Sequence, residues 1–572
     1  MRLKRLLPLL LFTFFALTLS YGCRCGEKSQ ENQEEKLRAG AMPMRAHTAA
    51  EKLAQYVPSD VDGVVFVASY GAIVESLERI KGWGLLDAKQ VEGVLFDLGR
   101  HHGLNPGQLT SYQQAGFAID GGLAVGMLGK NPFVVLEIED IKAFERFLDT
   151  FINEEYGRPR NQESQFHQHT LINIRVLKRD LATMVVRGRQ VLLVAGPHLK
   201  ADADPSPQVM ERLLSIDDGQ TLAAQATFKR LLDKVADDGA FFVYSSKIDL
   251  ARTMLQPILS KQPEILAAIE AMLSETITAV GISLRLDTER IEVTSFTLVP
   301  EAALSHGLGL LTPPVASTAA LATFLGEEVN GALRLSFSPR EIEAYLLATS
   351  PLQAKLWQDL KRMLTVRMVM NFETDILYNL TGQGLATLYR IDEDRLRGAS
   401  DLRAVLQCID AAFFLPMADP NRANGYFGKI NMLKGFLPEG QISIEERQGV
   451  LLFTIREKRQ VLLRLAYHQG VLAVITGDLA LEKVLQRLTA PPQQAASFYL
   501  PLMQEGALWA AAIDMRQIVA MLSARFDIVS FQIAKFFAPI DRLLVRTRLE
   551  EDGLALSLSV DISHTAGSTA KE

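Results

Sequence analysis

The chain carries the same short patterns twice, in the same order and at a nearly constant offset. A Pro- or Gly-rich acidic turn leads into a strand-like run at residues 58–67, and a similar turn leads into a similar run at 325–335. Collinear matches of this kind indicate an internal duplication. The matched positions are Gly63 and Gly331, Gly122 and Gly384, Val191 and Val471, Gly239 and Gly506, Ile248 and Ile513, and Arg285 and Arg548. The sequence therefore predicts two tandem repeats, at 50–305 and 312–565.

Each predicted repeat combines hairpins with helices. Apolar alternation and central turn residues predict paired strands, and apolar residues at helical spacing predict a helix at 141–151 that Asp140 caps. Hairpins outnumber strand–helix–strand crossovers, so we expect an α+β fold of mainly antiparallel sheet covered by helices. In the first repeat the predicted strands are 64–68, 123–128, 133–138, 181–186, 190–195, 241–244, 280–286 and 291–298, the other predicted helices are 73–80 and 250–274, and 156–168 is predicted to be a polar loop.

The first 22 residues have the features of an export signal. Arg2, Lys4 and Arg5 precede an uncharged apolar run at 6–19, and small residues follow it. The run has the length of a signal-peptide core and is short for a membrane span. We therefore predict a signal peptide at 1–22.

Cys23 makes this signal more specific. The residues Leu19-Ser20-Tyr21-Gly22-Cys23 resemble the lipobox of bacterial lipoproteins, although that family prefers Leu where Ser20 stands. The resemblance implies cleavage before Cys23, acylation of its thiol and attachment to the membrane through the acyl chains. Arg24, where an Asp would favour retention in the inner membrane, implies the outer membrane. The alternative is an ordinary cleaved signal in which Cys23 and Cys25 are incidental.

A polar segment separates the signal from the repeats. Acidic and basic side chains dominate 26–48, and aromatic and β-branched residues are few. Such a segment cannot bury enough apolar surface to offset the entropy lost on ordering. We therefore predict a lipidated cysteine and disordered tether at 23–49, and a disordered tail at 566–572.

The body of the chain also resembles a known group. The Pro58-Ser59-Asp60 opening, the strand that passes into a helix, the later strand–Asp140–helix unit and the closing hairpin are similar to an exported bacterial family catalogued only as a domain of unknown function. The resemblance covers most of 50–565 and implies a fold. It implies no catalytic residue.

Charge, cysteine content and motifs exclude several function classes. The formal net charge is only −6 over 572 residues and no basic stripe carries interleaved aromatics, so we expect no nucleic-acid partner. Three cysteines form no disulfide framework, and Cys408, in an apolar context, is expected to be a buried small hydrophobe. Nucleophile-elbow, phosphate-loop and His-Glu-x-x-His motifs are missing, so we expect neither catalysis nor a cofactor.

The remaining candidate residues are few. On a strand, His167 and His169 would share one face and could bind one metal ion, but glutamines surround them and no third ligand is evident, which favours exposure to solvent. His101 and His102 lie beside turn residues. Asp249 and Asp514 recur between the repeats where strands pass into helices, which favours helix capping over acid–base catalysis.

Three function classes remain open. The first is a non-catalytic, membrane-tethered protein of the cell envelope with a binding or structural role, exported and facing the periplasm or the cell surface, with an envelope protein or lipid as partner. The second is a carrier or sensor of a lipid or other hydrophobic ligand, for which the apolar helices at 254–277 and 518–540 would line a cavity. The third is an enzyme whose site is assembled from distant residues.

Overall fold

The chain divides into two compact α+β units, Met1–Pro300 with Ile562–Glu572, and Glu301–Asp561. In each unit the described strands form antiparallel pairs. The computed structural model describes residues 45–83, 104–105, 107–235, 239–246, 277–300, 319–340, 377–392, 408–432, 442–457, 460–490, 495–503, 506–516 and 539–562, and the single positions 358, 374, 395 and 519.

The strands of the first unit pair in the order β4-β5-β6-β7-β3-β2-β1-β8-β9-β10. Chain order and sheet order differ because β1 lies between β2 and β8, while β3 lies between β2 and β7. The strands are β1 (Gly63–Val67), β2 (Leu123–Leu128), β3 (Asn131–Glu137), β4 (Arg160–Phe166), β5 (His169–Val176), β6 (Arg179–Arg187), β7 (Gln190–Ala195), β8 (Phe241–Ser245), β9 (Ala279–Leu286) and β10 (Arg290–Leu298).

Six described α-helices accompany this sheet. They are α1 (Ala46–Leu53), α2 (Tyr70–Trp83), α3 (Leu109–Gln114), α4 (Ile141–Glu155), α5 (Ser206–Leu214) and α6 (Ala226–Lys234). As predicted, the Asp140 carboxylate caps α4, accepting the N–H groups of Lys142 and Ala143. Helix α1 packs on β1, β2 and β8, α5 on β5 to β7, and α6 on β9 and β10. The core includes Phe66, whose ring centroid lies 5.9 Å from that of Phe228 and 6.2 Å from that of Phe242.

The second unit pairs its strands in the order β14-β15-β16-β17-β13-β12-β11-β18-β19-β20. Adding ten to each label of the first unit gives this order, so the two sheets share one connectivity. The strands are β11 (Gly331–Ser336), β12 (Gln383–Ile391), β13 (Ile409–Pro416), β14 (Ile442–Arg447), β15 (Val450–Glu457), β16 (Gln460–His468), β17 (Val471–Thr476), β18 (Ala507–Asp514), β19 (Ile540–Glu550) and β20 (Gly553–Ile562).

The described α-helices of the second unit are α7 (Ala319–Ala322), α8 (Pro420–Met432) and α9 (Asp478–Thr489), and a longer 3-10 helix spans Ser497–Met503. Helix α9 packs on β12, β13, β15, β16 and β17, and the 3-10 helix packs on β11 and β18. Phe324 and Phe414 stack in this core with ring centroids 3.9 Å apart.

Two sequence predictions differ from the structure. Residues 46–49, predicted to belong to the tether, form the first half of α1, because the small side chains of Ala46, Ala49 and Ala50 allow that helix to pack closely against the sheet. The predicted loop at 156–168 contains β4, whose polar residues are exposed and pair with β5. An edge strand with polar side chains lacks the apolar alternation on which the prediction relied.

Several predictions concern residues outside the described part of the chain. They include the signal peptide at 1–22, Cys23 and most of the tether, the helices at 250–274, and the tail at 566–572. The apolar stretches at 254–277 and 518–540 lie almost wholly outside it as well. Among the residues that are described, no helix is both long and apolar enough to span a membrane.

Candidate functional site

The two candidate metal ligands of the sequence do not share a strand face. His167 lies in the turn between β4 and β5 with a φ of 53°, whereas His169 is the first residue of β5 and pairs with Phe166. Burial, then the positive charges of Arg187 and His167, lower the pKa of His169. In the described residues, no group of three or more His, Cys, Asp or Glu side chains could hold a metal ion.

Two other residues that the sequence singled out, Cys408 and Asp514, have structural rather than catalytic surroundings. Cys408 is a buried thiol, as predicted. Asp514 ends β18 and accepts the backbone N–H of Arg516 at 3.0 Å, in agreement with the predicted cap. Burial alone would raise the pKa of Asp514, but the hydrogen bonds and charge of Arg516 hold it below its usual value. Asp249, His101 and His102 lie outside the described residues.

Sequence reasoning missed a pair of polar anchors, one at the start of a central strand in each unit. Asn131 in β3 donates to the carbonyls of Ala195 and Asp204 and accepts the Asp204 N–H. These bonds tie the end of β7 to the segment that enters α5. A buried amide with three bonds of this kind fixes the path of the chain.

The anchor of the second unit is a carboxylate. Asp410 in β13 is 5% exposed and accepts the N–H groups of Leu479 and Ala480 at 3.0 and 3.4 Å, in the first turn of α9. Arg390 pairs with the same carboxylate at 2.9 Å. The negative charge of Asp410 therefore interacts favourably with the positive N-terminal end of the α9 dipole, and its hydrogen bonds hold that end on the sheet.

A second buried carboxylate lies in the first unit. Glu137, at the end of β3, pairs with Lys52 of α1 and accepts the Gly122 N–H at 3.0 Å and the Gln190 amide at 3.3 Å. These contacts connect the Glu137 carboxylate to α1, to β7 and to the residue that precedes β2. Burial raises the pKa of the neighbouring Tyr70 hydroxyl, and the charge of Glu137 contributes to that rise.

Equivalent positions of the two units can carry unlike side chains. Three residues after the matched glycines, the first unit has Phe66 and the second has Arg334. Arg334 is fully buried and donates to the Leu502 carbonyl at 2.7 Å, and burial lowers its pKa. A buried guanidinium ties the 3-10 helix of the second unit to β11, where the first unit has aromatic packing.

A cluster of exposed charge lies at one end of the first sheet. Here β4 begins, β5 ends and β6 begins, and we call this region the basic end. It is defined by five exposed cations: Arg158, Arg160, Arg175, Lys178 and Arg179. Within the described chain none of them has a carboxylate within salt-bridge distance.

A single large apolar side chain projects from the basic end. Leu177 lies in the turn between β5 and β6 and is 83% exposed. Leu177 and Lys178 have φ values of 50° and 63°, the left-handed region in which Gly or Asn is usual. Leu177 and Lys178 therefore adopt an unfavourable backbone conformation, although neither side chain is buried. Sequence reasoning missed this turn because Leu177-Lys178 lacks the usual turn residues.

Comparisons with known proteins add little to this picture. No family model matches the chain, and no curated protein matches it. Among solved structures, crystal form IV of TP0453 is 11% identical, covers 41% of this chain and 79% of that one, and has a TM-score of 0.24. Form III is 10% identical with coverages of 42% and 92% and a TM-score of 0.24, and form I is 12% identical with coverages of 42% and 91% and a TM-score of 0.23. Similarity at this level supports no argument about fold or function.

Proposed function

We propose that this protein is an exported lipoprotein, anchored to the outer membrane through an acylated Cys23, whose body has a binding or structural role. The basic start, the apolar run and the lipobox-like residues before Cys23 support export and acylation. The body then faces the periplasm or the cell surface, with an envelope protein or lipid as partner.

One structural observation carries the non-catalytic part of this proposal. The buried carboxylates Glu137 and Asp410 have their oxygens occupied by backbone N–H groups and by cations of their own unit. A general acid or base needs an oxygen that can reach a substrate. These carboxylates instead join helices to sheets, as expected of groups that stabilise a scaffold.

We further infer that the two units arose by duplication. The shared strand order supports this, and so do backbone bonds beside the matched glycines. In the first unit, Asp62 N–H donates to the Met127 carbonyl and the Asp62 carbonyl accepts Ser246 N–H. In the second, Asn330 N–H donates to the Leu388 carbonyl and the Asn330 carbonyl accepts Asp514 N–H.

Acylation is tested with paired cysteine variants of the full chain. In a bacterium that processes lipoproteins, cells grown with radiolabelled palmitate would express the native chain, Cys23→Ser or Cys25→Ser. We expect label on the native chain and on Cys25→Ser, both in the membrane fraction. Cys23→Ser should carry no label, because serine lacks the thiol to which the lipid is attached.

The Cys25→Ser variant serves as the matched control, because it removes a thiol two residues away. Label that persists in Cys23→Ser, or a native chain that is exported without label, would contradict the lipoprotein proposal.

A further inference from the structure

We propose that the basic end of the first sheet docks on the surface of a membrane that contains anionic phospholipids, with Leu177 inserted among the headgroups. The inference rests on the proposed membrane attachment and deepens it by naming the surface that the body contacts. It assigns a binding role to Arg158, Arg160, Arg175, Lys178 and Arg179.

The first argument is the uncompensated charge of the basic end. Arg160 and Arg175 lie directly opposite each other across β4 and β5. Like charges in this position are destabilising. Here the pair remains exposed, which favours an anionic partner from outside the chain.

The acidic residues in the vicinity are engaged elsewhere. Asp180 lies opposite Arg175 across β5 and β6, but its two oxygens accept the N–H and hydroxyl of Ser206 at 2.7 and 2.6 Å, at the start of α5. Glu154 and Glu155, at the end of α4, take part in interactions of their own. Within the described chain no carboxylate lies within salt-bridge distance of the five cations, so the basic end carries an excess of positive charge that can meet phosphate groups.

The second argument is the projecting leucine. Water surrounds 83% of the Leu177 surface, and the residues beside it in sequence are Lys178 and the buried Val176. A single apolar side chain that projects among cations is suited to the interface of a bilayer, where acyl chains accept the leucine and headgroup phosphates accept the lysine. A protein partner would be expected to meet a broader apolar patch.

The third argument is the electrostatic environment. His198 lies beside Tyr156 with ring centroids 6.2 Å apart. Burial, and then the positive charge of Arg179, lower the pKa of His198. The positive charge of Arg179 thus acts on a neighbouring side chain of the same unit.

The test measures binding of the chain from Gly26 onward, which contains every described residue and lacks the anchor. The probes are sedimenting vesicles of phosphatidylcholine alone and of phosphatidylcholine with about one-third phosphatidylglycerol. We expect binding only to the anionic vesicles and weaker binding as salt is added, because salt screens exposed charges.

Charge reversal identifies the surface. Lys178→Glu with Arg179→Glu should weaken binding at least ~25-fold, because each cation near an anionic surface contributes about fivefold. The matched control is Lys142→Glu with Arg146→Glu, an equal change in net charge at exposed positions in the first half of α4. It should weaken binding by less than about threefold, an effect of net charge alone.

The leucine is tested by Leu177→Asn. Asparagine tolerates a positive φ, so the melting temperature should be kept or raised while vesicle binding falls several-fold. A variant that binds like the native chain would exclude insertion of Leu177.

The remaining outcomes also decide the question. Equal binding to both kinds of vesicle, absence of binding to either, or equal losses in the two charge-reversed variants would each overturn the docking proposal. Because acylation of Cys23 is measured separately in cells, a labelled protein whose anchor-free form fails to bind would overturn the docking alone.

Discussion

At the scale of single residues, the two units use different polar side chains to hold the start of a helix on the sheet. In each unit a polar side chain at the start of the third strand, Asn131 or Asp410, holds the segment that leads into the next helix on the sheet. An amide can donate to carbonyls as well as accept, whereas a carboxylate only accepts, so Asp410 bonds N–H groups alone. An amide in one unit and a carboxylate in the other therefore perform the same structural role near the start of the third strand.

The Asp410 anchor predicts a specific loss of stability. Asp410→Ala leaves two N–H groups in the first turn of α9 without their acceptor and should lower the free energy of unfolding by about 2 kcal/mol. Arg390→Gln should cost less than about 1 kcal/mol, because the arginine side chain is 56% exposed. Urea unfolding followed by circular dichroism checks both values, and equal losses would show that the ion pair, rather than the helix contact, carries the stability.

The interactions of Asp514 predict that the stability of the protein falls in acid. Its pKa in the folded protein lies below the ordinary value of 3.8, so its contribution to stability is present above that pH and is lost as the pH falls through the folded value. The native chain should therefore be more stable than Asp514→Asn near neutrality, and the difference should shrink below about pH 4. Urea midpoints at pH 6 and pH 3 provide the measurement. A difference that stays constant or grows in acid would contradict this role.

At the scale of elements, close approach of neighbouring strands fixes the middle of the first sheet. A Cβ atom added at Gly126 of β2 would lie 2.7 Å from the Gly63 carbonyl oxygen and 2.7 Å from the Phe133 ring. This glycine therefore allows β2 to approach both neighbouring strands closely. Larger side chains at this position would push β2 away from both neighbours.

Alanine substitution tests that packing. Gly126→Ala should lower the free energy of unfolding by about 1–3 kcal/mol, the usual cost of overpacking. Gly63→Ala is the matched control in the adjacent strand, because its added Cβ would be 3.4 Å from the nearest atom, the Tyr244 carbonyl oxygen. It should cost less than half as much. A loss at Gly63 as large as that at Gly126 would indicate a general requirement for glycine instead of close approach.

Elements whose apolar pattern is bounded by turn residues could be predicted from the sequence, whereas β4 and β5 were not predicted. The strands Leu123–Leu128 and Gln190–Ala195 were predicted with the bounds that the structure shows, because buried apolar residues and turns define their ends. β4 was missed because all but one of its residues are exposed, so pairing with β5, which the local sequence does not encode, makes it a strand. The turn at Leu177 was missed for a different reason, because Leu177-Lys178 lacks the usual turn residues.

At the scale of the whole molecule, the sequence predicted the α+β class because hairpin patterns recur along the entire chain. It did not predict the polar anchors or the basic end. Asn131 lies between the predicted strands 123–128 and 133–138, where nothing in the sequence marks it as an anchor. Asp410 is one acidic residue among many until the fold brings α9 to it. The five cations of the basic end are spread over 158–179 and become neighbours only when three strands align.

Attachment of the folded body to the envelope through Cys23 is tested by the chemical identity of the mature N-terminus. The full chain would be extracted from membranes and its N-terminal tryptic peptide analysed by mass spectrometry. We expect the mature protein to begin at Cys23, with a thioether-linked diacylglycerol on its sulfur and Arg24 as the cleavage site that releases the peptide. A mature protein that begins at another residue, or at an unmodified Cys23, would contradict the account.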